Sequence, residues 1–436
     1  MRTNPVRGGL TRAALLCVSL CPCVAHASGA DLFGFGPRSL GMAGAGAALG
    51  AGIDVTYANP ALLGLERVQS AYVGWQLAHF ELTAKGSSAA AEQDPSSSFL
   101  FGAVVPLPLH GPLERRVSLG IGALLPKSVI TRVRLLWPER PQFPLLVPRA
   151  HNLNLNLGLG VRLDGGWTVG AGILVAAGLM GQVDVNMGED GKVRTIVDDE
   201  LLASFAPTLG GSWQASEAIR IGLAYRGRLT SDFDMRLSIS NLGVPVPPGS
   251  IVLPEMYVAG VAQIDPAQLQ GEVSWQVLGV QLAAGVTWRR WSPFKGWLRQ
   301  TVRCPVERPE CGALEAPRVE LSSTVTPRFG LAYPLGSTPR AQAELRAGYA
   351  YEPSPLAAQN GRSNLWDNAR HVFALGYGLR LRGPVRLCFE FAVQQHTLVA
   401  RQHVKSASVP LDNPGQPRVR TAGHVLVVAA GAGVDF

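Results

Sequence analysis

Asn152-Leu153-Asn154-Leu155-Asn156-Leu157-Gly158-Leu159-Gly160-Val161-Arg162-Leu163 is the stretch that decides the fold. Every second residue is a bulky aliphatic. The residues between are amide, glycine or arginine. Side chains alternate sides along a β-strand, so this segment has one greasy face and one small or polar face.

The same pattern recurs. Val385, Leu387, Phe389, Phe391 and Val393 alternate with Arg386, Cys388, Glu390, Ala392 and Gln394. Ile219, Ile221, Leu223 and Tyr225 alternate with Arg220, Gly222, Ala224 and Arg226. Phe373, Leu375, Tyr377, Leu379 and Leu381 alternate with Ala374, Gly376, Gly378 and Arg380, and 341–351 repeats the scheme. Composition agrees with strands. The 436 residues are 47% hydrophobic and 16% charged, and mean hydropathy is +0.15. A chain this apolar and this weakly charged is not a disordered one. Yet there is no run of about 18 apolar residues, which excludes a helical transporter. The longest clean stretch, Ala171 to Met180, is too short to span a bilayer as a helix.

Two architectures bury such alternation. A soluble sandwich turns its apolar faces into a core, and an outer-membrane barrel turns them to lipid. Three features favour the barrel. The strands are long. The chain ends in an amphipathic strand from Gly423 to Phe436, with Leu426, Val428, Val434 and Phe436 on one face. The start reads as an export signal: Arg2, Arg7 and Arg12 precede an apolar segment from Ala13 to Ala25 and the small-residue site Ala25-His26-Ala27. Cleavage after Ala27 removes 1–27, lowers the net charge from +8 to +5 and leaves three cysteines. Cys304 and Cys311 flank a Pro-rich stretch and read either as a small loop disulfide or as two free thiols. Cys388 is the third.

The alternation predicts about fourteen strands in an all-β antiparallel barrel. They cover 68–83, 96–108, 115–125, 150–163, 167–186, 199–214, 218–239, 251–264, 270–291, 316–333, 341–353, 369–381, 385–398 and 423–436. Tight links are expected at His110-Gly111-Pro112, Asp164-Gly165-Gly166, Ala215-Ser216-Glu217, Asp265-Pro266, Gly336-Ser337-Thr338 and Gly383-Pro384. Long links alternate with them, the asymmetry of short periplasmic turns and longer outer loops. The weakest pairing is around 264–291.

Residues 28–67 do not alternate. They are rich in Gly and Ala, with too few large side chains for a core of their own, and must fold against something else. The inside of a wide barrel is available. The motifs here are Gly36-Pro-Arg-Ser-Leu-Gly41-Met-Ala-Gly44-Ala45, Asp54, and Tyr57-Ala-Asn59-Pro60-Ala61. Along the barrel stand Arg220-Ile-Gly-Leu-Ala-Tyr-Arg226, Leu253-Pro-Glu255, Trp288 to Phe294, Leu345 to Pro355, and Asp367-Asn-Ala-Arg-His371. In these motifs the sequence resembles the FadL/TodX family of outer-membrane transporters for long-chain fatty acids and aromatic hydrocarbons. The resemblance spans nearly the whole mature chain.

That resemblance implies a 14-stranded barrel (68–436) plugged by an N-terminal hatch (28–67). It implies that Asn59, Pro60 and Ala61 lie near an inward kink in the third strand, where a lateral passage opens into the lipid. Gly41 and Gly44 belong to the same hatch motif. It also implies a monomer. The third strand carries Gly120 and Gly122, which read either as a bend or as room for the hatch.

Two candidate ligand sites come from the residues. The loop 126–149 is unusually apolar, with Val133, Leu135, Leu136, Trp137 and Phe143. It reads as a first capture groove, or as a loop packed back on its neighbours. Arg226 and Arg346 lie on the inferred inner face, either as partners for a carboxylate-bearing lipid or as members of ion pairs with acids such as Glu344 and Glu390. Other patterns fail. Gly41-x-x-Gly44-x-Gly46 follows no strand, Pro126 spoils the phosphate-loop likeness of 122–128, and there is no H-E-x-x-H or G-x-S-x-G. His396 and His403 read as loop residues. Asp198-Asp199-Glu200 reads as a solvated acidic edge or a divalent-ion bridge to lipid headgroups.

The expected function is uptake of hydrophobic small molecules by passive diffusion, with no enzyme activity, no cofactor, no metal and no nucleic-acid partner. The partners expected are the ligand, outer-membrane lipid and lipopolysaccharide. The alternative is a structural or secretion-associated barrel of the same build. A barrel-embedded enzyme and an open aqueous porin are the further rivals.

Overall fold

The computed structural model describes residues 29–87, 91, 93–127, 141–151, 153–187, 193–240, 255–294, 296–303, 319–359, 363–383, 385–404 and 418–436. Among them a sheet of 17 strands closes on itself. The strands are β1 (Ser70–Lys85), β2 (Ser96–Pro106), β3 (Val117–Pro126), β4 (Asn154–Arg162), β5 (Trp167–Met187), β6 (Val193–Gln214), β7 (Ile219–Arg226), β8 (Leu229–Ser240) and β9 (Glu255–Asp265). They continue as β10 (Ala267–Val277), β11 (Val280–Arg290), β12 (Leu298–Arg303), β13 (Thr324–Ser337), β14 (Ala341–Glu352), β15 (Arg370–Leu381), β16 (Arg386–Val404) and β17 (Arg418–Asp435).

The closed wall is a 14-stranded antiparallel barrel. Its order is β1 to β7, then β10, β11 and β13 to β17, and β17 pairs back onto β1 from Ser70↔Asp435 to Lys85↔Arg420. The other three strands stand outside this ring. β8 pairs parallel with the far half of β5, β9 pairs with β8, and β12 with β9. The chain reaches them by leaving the wall after Arg226. Gly227 N–H donates to Pro207 O at 2.8 Å, and Leu229 packs on the inward residues Leu174, Ala176 and Ala206.

The expected number of staves stands, but three of the expected strands differ. The segment 218–239 is a stave only over β7 and continues as β8 in the side sheet, and the other two are 251–264 and 270–291. The described part of the segment 251–264 is strand from Glu255 on, as β9, yet it lies in the side sheet and not in the wall. The segment 270–291 is two staves, β10 and β11, folded at Leu278-Gly279. Asp265-Pro266 joins β9 to β10 and is no periplasmic turn. The physical reason is the turn itself. Both central residues have positive φ, Leu278 at 51° and Gly279 at 82°, the geometry of a two-residue hairpin. Leucine is an unusual occupant of that region, so Val277-Leu-Gly-Val280 carries little turn signal. Other bounds shift as well. β6 begins at Val193, β13 at Thr324, and β16 runs on to Val404 through residues expected to be loop.

The apolar faces point outward. Leu157, Leu159, Leu223, Phe205, Phe373, Leu375, Phe389 and Phe391 are all exposed. Their alternates Asn154, Asn156, Thr208, Arg226 and Gln394 are buried. A belt of this composition suits lipid, not water. Trp167 and Trp213 stack at 5.4 Å near the short-turn end, where interfacial aromatics are expected. No described helix is long and apolar enough to cross a membrane.

The lumen is filled by residues 29–65. They form α1 (Gly29–Phe33), α2 (Pro37–Leu40), α3 (Val55–Ala58), and single 3-10 turns at Gly52–Asp54 and Pro60–Leu65. Most of this segment is buried against the inner wall. A fourth short helix, α4 (Val147–Ala150), lies in the β3–β4 loop and packs against α1 at the long-loop end.

Candidate functional site

One side of the lumen is glycine. β3 carries Gly120 and Gly122, β4 Gly158 and Gly160, β5 Gly170 and Gly172, β6 Gly210, and β7 Gly222. The chain from Thr56 to Gly64 presses directly on this patch. A Cβ at Gly210 would overlap Asn59 Oδ1, and one at Gly170 would overlap the Pro60–Ala61 peptide. A Cβ at Gly222 would overlap the Ala47 carbonyl. Absence of side chains on the wall is what lets the plug backbone sit this close.

Asn59 pins the patch. Its Oδ1 accepts from Ala61 N–H at 3.1 Å, and its Nδ2 donates to Ala47 O at 2.6 Å and Gly211 O at 3.2 Å. Pro60 follows as the first residue of the turn, where its fixed φ suits and no N–H is missed. Gly41 passes against Gly376 of β15. Gly44, at φ +79°, passes the Arg328 guanidinium.

The wall answers with one carboxylate. Glu272 of β10 is buried, and its two oxygens take four consecutive plug N–H groups. Oε2 accepts from Gly46 at 2.8 Å and Ala47 at 3.2 Å, and Oε1 from Ala48 at 2.9 Å and Leu49 at 3.0 Å. Successive N–H groups aimed at one point make an anion nest, and here the anion is the barrel's own.

The long-loop end is tied by charge. Asp31 on α1 bonds Arg149 of α4 at 2.8 Å, Arg289 of β11 at 3.3 Å and Gln268 at 2.7 Å. Arg149 also bonds Asp265 at 2.6 Å. Glu352 collects Arg328 at 2.8 Å and Arg370 at 2.5 Å. Burial alone raises the Asp31 pKa, but Arg289, Arg149 and Arg226 outweigh it and hold the carboxyl below the ordinary range. Beside this network lies a cavity of about 30 Å³ lined by Phe33, Phe35, Tyr57, Arg226, Arg289 and Arg328. That is room for about one water molecule and not for a hydrocarbon.

Above it the mouth is apolar. Phe143 is 1% exposed and meets Trp366 edge-on at 5.9 Å, in a cluster with Leu32, Phe33, Leu146 and Val147. Trp291, Phe294, Trp297, Leu321 and Leu356 form a second cluster beside it. At the short-turn end a cavity of about 300 Å³ is lined by Asp54, Glu66, Arg380, Arg386, Glu390 and Asp435 among others.

The residues singled out in the sequence fall in several places. Asn59, Pro60 and Ala61 lie together against the glycine patch. Arg226 donates to the Tyr57 and Ala58 carbonyls at 3.1 and 3.3 Å, reaches Gln268, and lies 4.7 Å over the Tyr57 ring. Arg346 bonds Glu344 at 2.6 Å and Glu390 at 2.9 Å, and Arg38 joins the same chain through Glu344 at 2.8 Å. Phe143 is in the mouth cluster. Val133, Leu135, Leu136, Trp137, Cys304 and Cys311 lie outside the described residues. His396 and His403 are not loop residues: both are buried on β16, bonded to Gln394 at 2.8 Å and to Thr421 at 3.1 Å. β3 pairs with β2 from Ser98↔Pro126 to Pro106↔Ser118 and with β4 from Val117↔Val161 to Leu124↔Asn154, without a register shift. Among the described wall strands the shifts lie at Pro334/Gly336 and Leu398/Arg401.

Sequence reasoning missed Glu272 and the Asp31–Arg149–Asp265 bridge. Glu272 carried a signal: Gln268, Gln270, Glu272 and Ser274 alternate with Leu269, Val273 and Trp275, which places a carboxylate on the inner face.

Solved structures support the same architecture. A FadL homologue from Pseudomonas aeruginosa superposes with a TM-score of 0.64 at 16% identity, covering 92% of this chain and 98% of that one. The toluene transporter TodX of P. putida gives 0.55 at 13% identity, covering 93% and 99%. The toluene transporter TbuX of Ralstonia pickettii gives 0.51 at 17% identity, covering 92% and 98%. At such identities the likeness concerns the fold. No curated protein matches the sequence. A family model described as outer membrane protein transport protein (OMPP1/FadL/TodX) matches residues 18–436. With a plugged barrel of 14 staves and a match over nearly its full length, the chain belongs to the OMPP1/FadL/TodX family of outer-membrane transport proteins.

Proposed function

We propose that this barrel takes up hydrophobic small molecules, fatty acids or hydrocarbons, by passive diffusion, and releases them sideways into the membrane. The observation that carries this reading is the filled lumen. Among the described residues, 29–65 occupy the middle of the lumen and leave a cavity of about 30 Å³ beside α1 and the charge network, so a porin-like water path is a poor use of this architecture. Two of the structural relatives are toluene transporters, which favours the same ligand class here.

The exit is argued from polarity. A greasy molecule going straight down meets Asp54, Glu66, Arg380, Arg386, Glu390 and Asp435 and then water. Transfer into lipid avoids both costs. The glycine patch on β3 to β7, covered by Asn59, Pro60 and Ala61, carries no side chains at its glycines and is the place we assign to such a passage. In this reading the first half of the hatch moves and Gly41 and Gly44 let it slide. The second half stays on Glu272 and Asn59. Val133, Leu135, Leu136, Trp137 and Phe143 form the capture groove. Arg226, through the Tyr57 and Ala58 carbonyls, and Arg346, through Glu344 and Glu390, hold the lumen in shape and are the proposed partners for a ligand carboxylate.

The test is native mass spectrometry of the detergent-purified mature protein. The panel is a long-chain fatty acid, its alcohol, an alkane and a monoaromatic. Retention of at least one class is expected. A triple variant, Leu135→Ser, Leu136→Ser and Trp137→Ser, should stay folded and retain less. If a folded wild type retains none, the structural or secretion-associated barrel becomes the better reading.

A further inference from the structure

Resting on the uptake reading, we infer that Asn154 and Asn156 are the polar end of a ligand site inside the barrel. The ligand would carry a hydrogen-bonding head and an apolar body: an alcohol, ketone or acid rather than a plain hydrocarbon. Both side chains are fully buried, at 0% exposure, on the inner face of β4. Neither the oxygen nor the nitrogen of either carboxamide has a hydrogen-bond partner among the described residues. A carboxamide offers two donors and an acceptor, and a dry interior rarely leaves them all unmade.

The surroundings fit an apolar body. Asn156 stands opposite Gly122 on β3 and Leu174 on β5, and Asn154 opposite Leu124. Leu124 and Leu174 share one buried cluster with Phe35 and Ala30 of the hatch. The Phe35 ring lies over Gly122, where a Cβ would strike it. Below, Gly158 and Gly160 lead to the Pro60–Gly64 turn. Withdrawal of the α1–Phe35 end of the hatch would therefore expose two amides next to an apolar wall, directly above the glycine patch. The lumen arginines are a poorer head-group site, because Arg226, Arg289, Arg328 and Arg346 already bond protein acceptors. Neutral amides serve as donor and acceptor at once, so alcohol and acid should both be recognised.

The experiment compares decanol with decane on wild type and on the double variant Asn154→Leu, Asn156→Leu. Leucine keeps the volume and removes the polarity. Decanol affinity should fall tenfold or more, about 1.4 kcal/mol per tenfold, while decane affinity holds or improves. Equal loss of both ligands would make the site one of shape only and overturn the inference. No loss of either would mean that the amides hold water and nothing else, and would overturn it too. Wild type that binds neither ligand overturns the uptake reading itself, a result read before any variant is made. Heat-modifiable migration reports folding. If the leucine pair does not fold, the pair Asn154→Ser, Asn156→Ser gives the same comparison.

Discussion

Asp54 shows how a single buried residue sets a pH dependence. It lies on the hatch, 2% exposed, and accepts from Ser39 N–H at 2.6 Å. Burial, and next the Glu390 carboxylate, push its pKa up to about 7 from 3.8; the Ser39 N–H, Arg346 and Arg38 pull the other way. A folded-state pKa above the unfolded one means that the folded chain binds the extra proton. The associated stability is full below about 4 and is lost as pH rises through about 7. Wild type should therefore unfold at lower temperature at pH 8 than at pH 5. In Asp54→Asn that difference should shrink, because the amide stays neutral and still accepts from Ser39. An unchanged pH slope in the variant would assign the effect elsewhere. Asp31 has the opposite sign. Its depressed pKa gives stability that is present at neutral pH and lost as the pH falls.

At the scale of elements, the plug divides in two. Residues 46–65 are fixed by Glu272, Asn59 and the glycine patch. Residues 29–40 are held by Asp31, by Arg38 and by the contact of α1 with α4. Arg149→Ala removes one of the two arginines on Asp31. Breaking a buried pair from one side costs roughly 3–5 kcal/mol, and Arg289 keeps part of the hold, so about 3 kcal/mol is expected. Hydrogen exchange should rise over 29–40 and stay slow over 46–65. A uniform rise would show that the plug moves as one body. Much of this scale could be read from the sequence, and its failures have causes. Alternation locates a strand and its faces, so β4, β7, β15 and the inner amides were legible. Alternation does not say which neighbour a strand pairs with. That is why β9 was counted as a stave, and why the Leu278-Gly279 hairpin hid inside one apolar run. The Asp31–Arg149–Asp265 bridge was illegible for a different reason: its members lie more than a hundred residues apart, on a plug, a loop and a side strand.

For the whole molecule, the decisive property is the solvent of the outer face. Leu375 lies at the middle of β15 and is 62% exposed, while Leu278 lies at a short turn and is 99% exposed. In water both would be ordinary surface residues, and a lysine at either would change stability by about 0.5 kcal/mol or less. In a bilayer the two differ. A lysine at the midplane of a barrel's lipid face costs about 2–4 kcal/mol, and near the interface about 0–1. Leu375→Lys should therefore lower the denaturant midpoint in lipid vesicles strongly, and Leu278→Lys hardly at all. Leu278 even has room to gain, since its positive φ suits asparagine better than leucine. The pair isolates depth from charge, because the same residue is introduced on both and each site is already open to its surroundings. Equal effects at the two positions would mean that the band through Leu375 does not face hydrocarbon. The exit of a ligand through the wall would then have no lipid to enter, and the lateral route would fall with it.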